Sequence, residues 1–498
     1  FLSANILKIL GVFAENQNEK HMVNVVGGMR LSQNGSNNSA YKVQGFIDDE
    51  FSNPAFALGY QKDGNATYQD SKKRAVSYYL NFGYAYDDRY LLDVNYRSDG
   101  SSVFGSDRQF TNTWSVGLGW NIHKEAFFSD IEGISLLKLR ASIGNPGNQN
   151  FDDYISTRIY SYNTDNMNIF GSSAIVSNLG NRNLEWQKTL DRNIGFDIIF
   201  LDNRLRVNFD YFNKRTDPLL VQIGTASSTG VKTLPRNVGK QITEGITLTM
   251  NYSIIRREDM FWSVNMNLRH QTSEYKEVSE VLTKYNLDNR NRNLTRYYDG
   301  GSPSDLWAVR SCGIDPATGR EIFLDKNGEQ TFVHNYDDEV VVGNSDPKVE
   351  GVIGTSFYYK GFSASINLRY RLGGQIFMQT LYDKVENLSS SKKWENLDKR
   401  ALYDRWKQPG DQAKFKSIAS SEVTPISSRF VEDNNVLSGE SISLGYESTA
   451  PWLKHIGASS MSVRAYMNDI FRISTVKNER GLSYPFARSV SFSLGVTF

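Results

Sequence analysis

The sequence predicts an all-β protein, a transmembrane antiparallel β-barrel of which this chain holds about fifteen strands. Three observations carry that prediction. Apolar and polar residues alternate with period two in paired segments; short turns alternate with long loops; and charged residues fall in the middle of the polar strand faces. The composition of the 498 residues agrees, with 27 Tyr, 28 Phe and 8 Trp against only 39% hydrophobic residues. Mean hydropathy is −0.48, and no stretch of about 20 apolar residues suits a helical span. Alternating strands average out as polar, so this does not exclude a membrane barrel.

The clearest strand begins at Tyr78, with Tyr78, Leu80, Phe82, Tyr84 and Tyr86 on one face and Asn81, Gly83 and Ala85 on the other. After Asp87-Asp88-Arg89 the pattern resumes, with Tyr90, Leu92, Val94 and Tyr96 opposed to Asp93, Asn95 and Arg97. That is a hairpin with a tight turn. Trp114, Val116, Leu118, Trp120 and Ile122 alternate with Ser115, Gly117, Gly119 and Asn121. Leu137, Leu139, Ala141 and Ile143 alternate with Lys138, Arg140, Ser142 and Gly144. Further hairpins are predicted at about 192 to 212, with its turn near Asp202-Asn203, at 246 to 270, near Arg257-Glu258, at 352 to 371, near Lys360-Gly361, and at roughly 440 to 468. A weaker pair spans about 5 to 31. The last strand carries Val490, Phe492, Leu494, Val496 and Phe498 on one face, and these five residues are the candidate barrel-assembly signal.

Residues 32 to 77, 145 to 190, 213 to 241, 272 to 350 and 372 to 439 are rich in Asn, Asp, Gly and Ser and read as long loops. Outer-membrane barrels have short periplasmic turns and long extracellular loops, an asymmetry that a soluble sandwich or propeller has no reason to show. Arg97, Lys138, Arg140, Arg206, Asp210, Arg269 and Arg369 lie mid-segment on the polar face, which suits a wet lumen better than a sandwich core. A closed bacterial barrel has an even strand number with both termini periplasmic. Fifteen strands ending inward therefore imply at least one more strand upstream, and the start at Phe1, without an initiator Met or a basic leader, reads as internal to a longer protein.

Composition also limits function. Lys and Arg total 56 against 55 Asp and Glu, a net charge of +1 that argues against a nucleic-acid binder. The single cysteine, Cys312, excludes an intramolecular disulfide and a multi-cysteine zinc site. The histidines at 21, 123, 270, 334 and 455 lack ligand spacing, so no metal site and no cofactor is expected. Asp325-Lys326-Asn327-Gly328-Glu329 has the outline of a calcium loop but not its ligand series and reads as a turn. No nucleophile elbow, phosphate loop or dinucleotide fingerprint is present, which leaves nothing specific behind an enzyme. Trp307 and Trp406 read as loop packing ahead of sugar stacking, and Asp404-Arg405-Trp406 as a structural brace.

Several stretches resemble the SusC/RagA family, the TonB-dependent outer-membrane transporters of Bacteroidetes. They are residues 81 to 92 with Arg97-Ser98-Asp99-Gly100-Ser101-Ser102, and residues 137 to 150, where Pro146 replaces the Thr more usual in the family. Asn183-Leu184-Glu185-Trp186-Gln187-Lys188-Thr189, continuing through Gly195 and Asp197 to Asp210-Tyr211 and Thr216-Asp217, is the most recognisable. Similar segments are 313 to 319, Asp404-Arg405-Trp406 with Pro409-Gly410-Asp411, and Tyr484-Pro485-Phe486-Ala487-Arg488-Ser489. The resemblance implies a 22-stranded barrel closed by an N-terminal plug, with a TonB box coupling it to the inner-membrane motor. On that reading residues 1–498 are the C-terminal barrel portion, without plug, TonB box or first strands. It further implies a SusD-like surface lipoprotein as partner, outer-membrane lipid around the wall, and a glycan or peptide as substrate. The competing readings are a barrel-anchored adhesin or assembly component, and an outer-membrane hydrolase.

Overall fold

The computed structural model describes residues 2–15, 20–46, 53, 57–60, 67–102, 109–129, 131–147, 156–278, 280–389, 391, 397–477 and 487–498. Fifteen strands are hydrogen-bonded in chain order into one sheet. They are β1 Leu2–Glu15, β2 His21–Ala40, β3 Thr67–Tyr86, β4 Tyr90–Ser101, β5 Phe110–Asn121, β6 Ile134–Asn145, β7 Thr189–Phe200 and β8 Leu205–Thr216. The series continues with β9 Lys240–Arg256, β10 Met260–Lys276, β11 Val349–Tyr359, β12 Phe362–Leu372, β13 Val436–Ser448, β14 Ser460–Ser474 and β15 Val490–Thr497. The count matches the fifteen read from periodicity. By compactness the chain divides into Phe1–Leu118, Ser142–Asp191 and Thr216–Val238 in one unit, and Gly119–Ala141, Arg192–Arg215 and Gly239–Phe498 in a second.

The turns follow from local chemistry. Asp87 and Asp88 both have φ of 51°, the left-handed conformation that a type I′ turn demands and that Asp tolerates. The Arg89 N–H closes the turn onto the Tyr86 carbonyl at 2.8 Å. Lys360 and Gly361 do the same between β11 and β12, with φ of 44° and 91°. Aromatic rings gather at these short-turn ends, including Tyr86, Tyr90, Trp262, Tyr359, Phe362 and Tyr446, as an interfacial girdle requires.

The burial pattern is the reverse of that in a soluble sheet. Leu118 and Ile194 are each 58% exposed on the apolar face, whereas Ser77 and Asp99 on the polar face are 6% and 2% exposed. A sheet whose large apolar side chains point away from protein is stable only with another apolar phase against them.

Two readings of the loops need correction. The segment 32–77 is not all loop, because β2 runs to Ala40 and β3 starts at Thr67, and their pairing continues without a break out to Ala40 with Thr67. These outer rungs are built of Ser, Asn, Gln and Lys, which masked the strand by removing the apolar half of the alternation. The remaining long segments are structured as well. A two-stranded ribbon, 159–168 with 171–178, lies between β6 and β7, and another, 220–224 with 233–237, between β8 and β9. A helix, Glu280–Asn289, and a four-stranded sheet lie between β10 and β11. The motif residues 148–150 and 484–486 lie outside the described residues.

Candidate functional site on the polar face and in the long loops

Of the charges predicted on the polar face, Arg97, Arg140, Asp210 and Arg369 are joined to opposite charges. The Arg97 guanidinium donates to Asp99 Oδ1 at 2.7 Å and to Ser77 Oγ at 3.0 Å. Arg140 grips Asp197 with two parallel bonds of 2.8 Å and touches Asp210 Oδ1 at 3.1 Å. Asn208 Nδ2 donates to the same Asp197 at 2.6 Å. Arg369 meets Glu440 at 3.1 Å. Gly195 explains its own place in the recognised motif: a Cβ there would lie 2.3 Å from Asp210 Oδ1 and 2.6 Å from the Phe209 carbonyl. Only glycine lets β8 and the Asp210 carboxylate approach that closely.

The other part of the motif is a bracket for the sheet's rim. Leu184 and Trp186 are buried, and Asn237 clasps the intervening Glu185 backbone, accepting from its N–H at 2.9 Å and donating to its carbonyl at 3.0 Å. Thr189 Oγ1 bonds Thr216 Oγ1 at 2.9 Å, and the Asp217 N–H donates to the Lys188 carbonyl at 2.8 Å.

The two longest loops fold into one body. Strand Asp305–Ile314 is central in a sheet with Glu339–Asn344 on one side and Glu321–Leu324, followed by Gln330–Thr331, on the other. A parallel bridge joins Val309 of the first loop to Ser427 of the second. Around that bridge Leu294, Ala308 and Ile426 form one buried apolar cluster, and Val385, Phe415 and Phe430 another, with Phe377 and Tyr382 packed on both. Arg429 is the electrostatic centre, donating to Glu386 Oε1 at 2.7 Å and to Glu321 Oε2 at 2.9 Å. Ser427 Oγ donates to Glu321 at 2.6 Å and Thr424 Oγ1 to Glu386 at 2.9 Å. Burial works against the Arg429 charge, but the two carboxylates outweigh it and hold the proton more tightly than usual. Burial lowers the Lys416 ammonium below its ordinary range, with Glu386 opposing that shift. Arg296 is a fully buried cation, held by Glu339 at 2.7 Å and by the carbonyls of Arg290, Asn293 and Thr295.

The tempting residues of the sequence take structural roles. Trp307 packs on Tyr298 with ring centroids 4.7 Å apart. Trp406 Nε1 donates to the Pro316 carbonyl at 2.9 Å, its ring against Gly319, and Arg405 donates to the carbonyls of Ala401, Val385 and Lys416. Asp325 to Glu329 form a hairpin turn in which Asp325 Oδ1 accepts from the Asn327 and Glu329 N–H groups. Cys312 is an exposed thiol. Among the described residues no group of three or more His, Cys, Asp or Glu side chains is placed to hold a metal ion. Val490, Phe492, Leu494, Val496 and Phe498 are all exposed in one row, and β15 pairs with β14 from Met467↔Val490 to Ser460↔Thr497. Sequence reasoning missed Glu321, Glu386 and Arg429. They lie dozens of positions apart, and no local periodicity links them.

An inverted antiparallel sheet with short turns, long folded loops and a charge-paired polar face defines a membrane-spanning β-barrel protein. The sequence profile described as "TonB dependent receptor-like, beta-barrel" matches residues 11–406, and the chain belongs to that family. It is a family of outer-membrane receptors and transporters, not of enzymes. The chain is 26% identical over 504 residues to TonB-dependent receptor P39 of Formosa agariphila, covering 91% of this chain and 48% of that protein. It is 25% identical over 458 residues to TonB-dependent receptor SusC of Bacteroides thetaiotaomicron, covering 86% of this chain and 44% of SusC. Its fold is like that in the structure of the RagAB peptide transporter, with a TM-score of 0.81 at 19% identity over 96% of this chain and 52% of that one. The chain thus spans about half the length of the curated relatives it matches.

Proposed function

We propose that this chain forms the wall and extracellular loops of an active outer-membrane importer of large nutrients, glycans or oligopeptides, energised through TonB. In this reading residues 1–498 are the C-terminal portion of the receptor barrel, and plug and TonB box belong to sequence outside them. The coverage of about half of each relative supports that division. The observation that carries the proposal is the loop body centred on Arg429: a folded, charge-stapled platform on a membrane sheet whose opposite face is polar. A mere anchor has no need of a preorganised body held by buried ion pairs. The platform docks a SusD-like lipoprotein, a reading supported by the likeness to SusC and to the RagAB peptide transporter. A lid resting on long loops can tilt open while one edge stays attached, admitting a large ligand before the plug moves.

The test is recovery of a tagged full-length protein in mild detergent together with uptake by cells lacking it. A second subunit of comparable size, and loss of growth on a polymeric glycan or on oligopeptides as sole nutrient, is the expected result. Recovery of the barrel alone with unimpaired growth on both overturns the reading in favour of an adhesin or assembly component.

A further inference from the structure

One groove lies on the apolar side of the sheet, across β2, β3 and β4. Leu31 pairs with Val76, and Val76 with Gly100, so the three form one rung across β2, β3 and β4. Val76 is in the same period-two series as Tyr78, Leu80 and Tyr86, which places the rung on the face that meets lipid. Gly100 leaves a gap in the side-chain cover. The Phe110 ring lies across it, close enough that a Cβ on Gly100 would sit 2.7 Å from the ring. The result is a groove of about 470 Å³ lined by Leu31, Val76, Gly100 and Phe110. That volume is within the range of small-molecule sites, roughly 300–1,000 Å³.

The mouth of the groove is polar. One step further out on the same face Gln33 pairs with Arg74, and both line the groove. Arg74 Nε donates to Gln33 Oε1 at 3.0 Å, and its backbone N–H donates to Ser102 Oγ at 3.0 Å. The bond to Gln33 fixes the guanidinium plane while using one of its five donors.

Strand geometry sets the height of this arginine. Arg74 is 86 − 74 = 12 residues from Tyr86, which ends β3 at the short turn. At a rise of ~3.3 Å per residue and a strand tilt of ~45° this is ~28 Å along the membrane normal. The apolar band of an outer-membrane barrel is ~25 Å tall. With Tyr86 and Tyr90 stacked at one interface, ring centroids 6.4 Å apart, Arg74 reaches the opposite one, on the long-loop side. An apolar slot opening into the bilayer with a planar cation at its headgroup end matches one kind of occupant. Its acyl chain fills the slot, and its phosphate accepts a bidentate bond from the guanidinium.

We propose that the Leu31–Val76–Gly100–Phe110 groove with Arg74 at its mouth binds a phosphate-bearing lipid of the outer leaflet. The site is independent of transport and of the lipoprotein partner, so it stands or falls apart from the function proposed above. The test is native mass spectrometry of the full-length protein, delipidated in detergent and titrated with monophosphoryl lipid A, with its dephosphorylated form, and with inorganic phosphate. Arg74→Gln should weaken the phosphorylated lipid by about tenfold or more, as loss of a charge-assisted bond predicts, and leave the dephosphorylated form unchanged. Leu31→Trp, an apolar substitution on an apolar face, should fill the slot and weaken both lipids. Arg30→Gln, one position away on the opposite face, should weaken neither, and retention of strand content by circular dichroism keeps the variants comparable. Equal affinity of wild type and Arg74→Gln for the phosphorylated lipid overturns the proposal. So does displacement of that lipid by inorganic phosphate alone, or an equal loss in Arg30→Gln.

Discussion

The Arg429 guanidinium lies 2.7 Å from a Glu386 carboxylate that is wholly buried. Arg429 shares its charge between Glu386 of its own long loop and Glu321 of the other, so the first loop cannot hold its buried Glu321 charge without the second, and both carboxylates lose their partner if Arg429 is removed. Breaking a buried pair by removing one partner costs about 3–5 kcal/mol, since an uncompensated charge remains. Arg429→Met should therefore open both loops to protease while the heat resistance of the barrel persists. Limited proteolysis followed by mapping of the cut sites checks this; cuts confined to 373–435 would deny the coupling. The same coupling predicts that deletion of either loop disorders the other, so a partner lost on deletion is not thereby located on the deleted segment.

Gly195→Ala tests the packing of the polar face. The added methyl would meet the Phe209 carbonyl as well as the Asp210 carboxylate, and backbone cannot swing aside as a side chain can. Overpacking of this kind costs about 1–3 kcal/mol, to be read as a lower denaturant midpoint than wild type. An unchanged midpoint would show that β7 and β8 separate easily at this point.

Much of this fold was legible because a strand in lipid states its rule twice, once in apolar residues outward and once in small or charged residues inward. Leu80 to Tyr86, Leu92 to Tyr96 and Trp114 to Asn121 obey that rule, and their strands and hairpin turn follow it. The rule fails where the strand leaves the bilayer. Ser36 to Ala40 and Thr67 to Ser71 have polar residues on both faces, and period two becomes invisible although the ladder continues. The loop body was illegible for a different reason: its order rests on Glu321, Glu386 and Arg429 meeting from distant positions, and on aromatic pairs such as Phe377 with Tyr382. Gly195, Asp197 and Asp210 stood out as a motif, but their reason, a close approach of two strands around an ion pair, is a property of the folded sheet.

The two faces of β5 should respond oppositely to substitution. Leu118 is exposed toward lipid, and Leu118→Arg near the midplane should cost about 2–4 kcal/mol. Gly117 faces the polar side, where an added Cβ would make only ordinary contact with Asp93 at 3.8 Å, so Gly117→Ser should be nearly silent. Denaturant resistance of membrane-extracted protein measures both. Equal effects would overturn the assignment of the faces.

His334 gives the loop body a pH dependence. Burial lowers its pKa below the ordinary value of 6.5, and the Ile426 carbonyl with Glu321, Glu339 and Asp338 opposes that shift without cancelling it. A histidine harder to protonate when folded contributes nothing unfavourable above its unfolded value, and it destabilises the fold progressively as pH falls from there to the lowered one. Protease resistance of the loop body should therefore fall between pH 7 and the mildly acidic range. His334→Gln, which cannot charge, should flatten that part of the profile; an equally steep profile in the variant would assign the effect to the carboxylates.

The apolar row of β15 is proposed to direct assembly. Val490, Phe492, Leu494, Val496 and Phe498 all project from one face, and each is exposed, so none is needed to pack a protein core. Their cost in water is offset only if an assembly factor or the bilayer covers them. Deleting Phe498, which is 84% exposed and follows the last paired residue Thr497, should then reduce the protein reaching the outer-membrane fraction without lowering the stability of the molecules that insert. Phe492→Asp should do the same more severely, because it places a charge within the row. Thr497→Ser should change little, being on the other face. Quantifying full-length protein in outer-membrane and periplasmic fractions separates these outcomes. Normal insertion of both the deletion and the aspartate variant would remove the signal from β15 and leave the barrel assignment untouched.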